Sequence, residues 1–121
     1  CVEQTTSSVF AQLYLESFTE LTEGKKLEVE QNIKAAINRL KSFQLSNGGF
    51  SYWAGGYEAN AWGTIYASHF LLEAEKKGYT LPHGMKSKFI KFLKTQSKKW
   101  RKPSLSFRAL KETLLSHTNS Q

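Results

Sequence analysis

At 121 residues, 40% apolar and 13% aromatic, the chain has the length and composition for a single domain with a real core, and it contains no apolar run long enough to form a membrane-spanning helix. Seventeen Lys and Arg face ten acidic residues, all of them glutamate, giving a net charge of +7. The single cysteine excludes an internal disulfide, and no pair of its three histidines has ligand spacing, so no metal site is expected.

The chain opens on Cys1-Val2-Glu3-Gln4-Thr5-Thr6-Ser7. A turn between positions i and i+3 brings the Cys1 thiol within reach of the Gln4 carboxamide. The thiolate can then displace ammonia and close an internal thioester, leaving the Gln4 acyl group activated toward an outside nucleophile. A helix is predicted over 5–22, with Thr5 to Ser8 as capping hydroxyls, Phe10, Leu13, Tyr14, Phe18 and Leu21 at helical spacing, and Gly24 as its stop. The turn then sits at a helix N-terminus, where free N–H groups stabilise negative charge on sulfur and on the acyl oxygen. Glu3 is expected to orient the turn and not to act as an acid. Cys1 also fits two other readings, an inert apolar thiol or the acylated first residue of a lipoprotein scaffold. The lipid reading makes no use of Gln4.

A second helix is predicted over 27–45, on the apolar stripe Val29, Ile33, Ala36, Ile37, Leu40 and Phe43. It stops at Ser46-Asn47-Gly48-Gly49. The stretch Gly48 to Gly56 sets glycines around Phe50, Tyr52 and Trp53, which marks a structured loop with buried aromatics. Gln44, just before it, is placed to bond the loop backbone. A third helix, 59–77, carries Trp62, Ile65, Tyr66, Phe70, Leu71 and Leu72 around most of its circumference. Gly63 and Ala67 on it leave room for a close neighbour, and Gly78 ends it. A fourth, from His83 or Gly84 to Trp100, buries Met85, Phe89, Phe92, Leu93, Gln96 and Trp100, with lysines on its wet side. A fifth, 104–117, rests on Phe107, Leu110 and Leu114. The segment around Gln44 is echoed at Gln96, about fifty residues on, the period of one helix pair per repeat.

These features together resemble the alpha-2-macroglobulin and complement family, bacterial branch. The resemblance rests on Cys-x-Glu-Gln followed by Thr-Thr-Ser, and on Gln44 to Phe50 with Trp53 and Trp62; it covers roughly residues 1–100. It implies an all-α fold of antiparallel hairpins, part of an alpha/alpha toroid of alternating inner and outer helices, with residues 1–121 as one piece of a thioester-containing domain. Cys1 and Gln4 become the two thioester ends, with Glu3, Gln44, Gly48, Gly49, Phe50, Trp53 and Trp62 as supporting residues. The implied function is a single-use covalent trap of attacking proteases, not a turnover enzyme. It needs no cofactor, takes amines as nucleophiles, and is shielded by adjoining domains of an exported periplasmic or cell-envelope protein, with membrane anchoring of that parent and self-association of this piece as further expectations.

In some relatives a downstream histidine steers transfer to hydroxyls. The loop that carries it has no counterpart after Trp100, so the role is not assigned to His117. His69 reads as a hydrogen-bonded, partly buried side chain, and His83 marks a helix start. An alternative of the same fold class is a prenyltransferase or terpene-cyclase subunit, which requires an Asp-rich motif or zinc ligands that this chain lacks. Residues 76–111 hold twelve basic side chains and no acid. No base-reading or aromatic-interleaved motif accompanies them, so nucleic acid is not an expected partner.

Overall fold

A computed structural model describes residues 1–18, 20–99 and 112–116. Four helices are named in chain order: α1 (Val2–Phe18), α2 (Glu23–Lys41), α3 (Ala61–Lys76) and α4 (Met85–Ser97). Residues 112–116 are helical as well, and Leu114 among them is buried. The fold is all-α. Among the described residues the only β pairing is two isolated antiparallel bridges, Gln44 with Phe50 and Ser51 with Ala59. Of the expected fifth helix, Phe107, Leu110 and His117 lie outside the described residues, as does Trp100.

α1 packs against both α2 and α3, and α4 packs against α3. Val2 at the start of α1 meets Gly63 at the start of α3, and Phe10 farther along meets Phe70. The two central helices therefore run in the same direction, each backed by one outer helix. Their shared core is Leu13, Ile33, Leu40, Phe43, Phe50, Phe70, Leu71, Phe89 and Leu93, all essentially without solvent exposure. Nearly every face of α3 is buried, as its sequence requires. Met85, Phe89, Phe92 and Leu93 form the buried stripe of α4, while Gln96 is only half-buried.

Two boundaries differ from the sequence reading. α1 begins at Val2, not Thr5. The hydroxyls expected to cap it bond back within the helix instead: Thr6 donates to the Val2 carbonyl at 2.7 Å and Ser8 to that of Thr5 at 3.2 Å. Gly24 does not end the first helix; it lies in the first turn of α2, whose N-cap is Thr22, accepting from the Lys25 N–H at 3.2 Å. At the end of α3, Gly78 takes φ 101°. Its N–H donates to the Glu75 carbonyl and that of Tyr79 to Ala74, which closes the helix with a left-handed cap.

The glycine loop after α2 is held by close backbone approach. A side chain at Gly48, whose φ is 93°, would come within 2.0 Å of the Lys88 carbonyl oxygen, and one at Gly49 within 2.9 Å of the Phe92 ring. The loop is pressed against α4 where only glycine fits.

Candidate functional site

Cys1, Glu3 and Gln4 occupy the first turn of α1. The Gln4 N–H points to the Cys1 sulfur at 3.5 Å, and the Thr5 N–H donates to the Cys1 carbonyl at 3.0 Å. Cys1 thus stands in the N-cap position, with its thiol and the Gln4 side chain on neighbouring faces of one turn. Cys1 is half-buried, and Glu3 and Gln4 are exposed. The sequence reading placed the turn before the helix; here it is part of the helix and tied down. Val2 is fully buried, and its N–H donates to the Tyr52 carbonyl at 2.8 Å.

That carbonyl is delivered by a chain of contacts starting at Gln44. The Gln44 amide donates to the carbonyls of Gly48 and Met85, both at 3.1 Å, joining the loop to α4. The Ser51 N–H donates to the Phe43 carbonyl at 2.8 Å. The buried Phe50 ring anchors the segment, and Thr64 of α3 clamps its backbone, accepting from the Phe50 N–H at 2.8 Å and donating to the Phe50 carbonyl at 3.2 Å. Tyr52 follows and meets Val2. The glycine motif therefore supports the cysteine motif through backbone, by way of the Tyr52 carbonyl.

Gly63 completes the seat. A Cβ there would stand 2.7 Å from Val2 Cγ1, so only glycine lets the start of α1 settle on the start of α3. Asn60 caps α3 by accepting from the Gly63 N–H at 2.6 Å. The N-termini of two parallel helices thus converge on the Cys1 turn, and both place positive dipole ends there. Gly63 stood out in the sequence as a small residue. Thr64, Asn60 and the Tyr52 carbonyl did not, because their part lies in backbone bonds that residue type does not disclose.

Trp53 and Trp62 are not buried beside the glycine loop as expected. Trp53 is 63% exposed and Trp62 49%. Phe50 and Ser51 fill the space under the loop, leaving Trp53 at the corner of the 53–56 turn, edge-on to Tyr52 at 5.1 Å. Trp62 lies on the outer side of the first turn of α3, stacked on Tyr66 at 6.5 Å.

His69 lies two turns farther down α3, edge-on to Phe10 at 5.3 Å and 3.9 Å from a Glu73 carboxylate oxygen. Burial holds its pKa below the usual value; Glu73 opposes that shift and Lys76 adds to it. It does not reach the Cys1 turn. His83 is exposed at the approach to α4. On α4, Lys86 pairs with Glu75 at 2.6 Å, and Lys88, Lys91, Lys94, Lys98 and Lys99 face solvent.

The family described as the A-macroglobulin TED domain matches residues 1–107. The chain belongs to this family. Among curated relatives it is similar to "Alpha-2-macroglobulin" of Escherichia coli (strain K12), 34% identical over 86 residues, covering 68% of this chain and 5% of that protein. It is also similar to "Alpha-2-macroglobulin" of Xylella fastidiosa (strain Temecula1 / ATCC 700964), 33% identical over 97 residues, covering 74% of this chain and 6% of that protein. The chain thus spans about a twentieth of the length of these relatives. No solved structure matches it.

Proposed function

We propose that Cys1 and Gln4 are the two ends of an internal thioester, and that through it the protein containing this chain acylates an attacking protease. The observation carrying this reading is the shared first turn of α1, with the Gln4 N–H 3.5 Å from the Cys1 sulfur. Closure joins Sγ to the Gln4 Cδ and expels ammonia. Attack by an amine then breaks the C–S bond, forms an amide at Gln4 and frees the Cys1 thiol. The acyl group is consumed once, so the device is a trap and not a turnover catalyst. Gln4 is exposed on this chain, and a thioester there persists only if an adjoining domain keeps water away. Proteolysis elsewhere in the protein would lift that cover. The periplasm or cell envelope is the setting this reading implies.

The test uses the full-length protein. Its Cys1 thiol should be silent to a thiol reagent until methylamine is added, then appear in equal amount with one methylamide at Gln4. Cys1→Ala should abolish methylamine uptake and leave the helical circular dichroism unchanged. A thiol that titrates freely beforehand, with no amine incorporated, would overturn the reading.

A further inference from the structure

The Cys1 turn is bordered by features that the thioester itself does not require. Glu3, exposed on the same helical turn, has no Lys, Arg or His partner among the described residues. Trp62, next to the Gly63 that seats Val2, presents a half-exposed ring stacked on Tyr66. Glu3 is close enough to Tyr66 for its charge to act there: the phenol is raised above its usual pKa by burial first and by Glu3 second. Although the chain carries +7 overall, neither 1–24 nor 42–75 contains a Lys or Arg. Those stretches include all of α1, the glycine loop and all but the last residue of α3. Among the described residues, the stretches that form the cysteine turn and the Trp62–Tyr66 pair thus bring a carboxylate and aromatic rings but no Lys or Arg side chain, on an otherwise basic protein.

We propose that Glu3 and the stacked Trp62–Tyr66 pair form a cation-selecting wall beside the Gln4 acyl group, directing it to lysine-type amines in preference to hydroxide. This rests on the thioester reading above. A neutral amine attacking the Gln4 Cδ acquires positive charge on nitrogen as the acyl oxygen becomes negative. The nitrogen then gives a proton to solvent, the C–S bond breaks, and the Cys1 thiolate takes up a proton. The Glu3 carboxylate and the ring faces stabilise the cationic nitrogen, while the free N–H groups of the first turn stabilise the oxyanion. Attack by hydroxide develops no cation, and Glu3 repels it. The wall sets how an uncovered acyl group divides between a protein lysine and water.

The experiment follows thiol release from the full-length protein in methylamine, and in amine-free buffer across alkaline pH. Glu3→Gln should slow aminolysis about two- to fivefold and make hydroxide-driven release faster. Trp62→Leu should slow aminolysis by a similar factor, about two- to fivefold. A merely structural role would move both rates together. Equal movement, or an unchanged ratio in both variants, overturns the proposal. The wild-type protein supplies an independent measurement that needs no variant to close its thioester. At matched free-base concentration, ethylamine should react at least about twice as fast as β-alanine, whose carboxylate the wall repels, and equal rates overturn the proposal. A wild-type thiol that is free from the outset overturns the thioester reading and this one with it. An intact thioester with no discrimination overturns this one alone.

Discussion

Gln44 shows how one side chain positions a site it never touches. Its amide bridges two carbonyls, that of Gly48 in the loop and that of Met85 at the start of α4. Gln44→Ala removes two hydrogen bonds and should cost about 1–3 kcal/mol, at about 0.5–1.5 kcal/mol each, read as a lower midpoint in thermal or denaturant unfolding. His69 gives a pH signature. Its pKa is lowered in the folded state, so the unfolded chain binds the proton first as pH falls. Its contribution is therefore fully present above about pH 6.5, the unperturbed value. It is lost as pH drops from there through the lower folded value, and constant below that. Stability should decline on acidification through this window, and His69→Gln should flatten that part of the profile. A wild-type profile with no decline below that pH would count against the burial of this ring.

At the scale of elements, the helices were legible because apolar spacing and glycine stops are local. The stripes of α2 and α4 are buried as the spacing required. The start of α1 was not legible. Thr5 to Ser8 look like caps by type, but the Tyr52 carbonyl takes up the Val2 N–H and lets the helix begin three residues earlier. The tryptophans misled for a related reason: ring size argues for burial, yet Phe50 and Ser51 already fill the floor of the loop. Gly63 was legible as a close-packing position, and the packed element is the site itself. Gly63→Ala drives a methyl to 2.7 Å from Val2 Cγ1, and overpacking of this kind costs about 1–3 kcal/mol. The start of α1 must shift, carrying Cys1 and Gln4 with it. Helical circular dichroism should be retained while methylamine uptake by the full-length protein falls several-fold. Wild-type uptake in the variant would show that the seat does not position the turn.

Across the whole molecule, the central pair α1 and α3 each has one outer helix, the alternation expected of a ring of helical hairpins. Such an arrangement is quasi-repetitive, and each unit relies on neighbours to cover its apolar edges. The described residues leave Leu27 56%, Trp53 63% and Tyr57 98% exposed, large apolar side chains open to a neighbour. We predict that residues 1–121 studied alone self-associate, and weakly. Burying two such side chains contributes about 3–6 kcal/mol, which is set against an association cost of at least about 4 kcal/mol. The balance points to dimers that form only at high concentration. Sedimentation velocity should show a sedimentation coefficient that rises with concentration. The double change Trp53→Ser and Tyr57→Ser should return the chain to a monomer without loss of helix, because neither ring belongs to the core. A coefficient independent of concentration up to the millimolar range would mean that these rings are ordinary surface residues, and that the hairpins close on themselves.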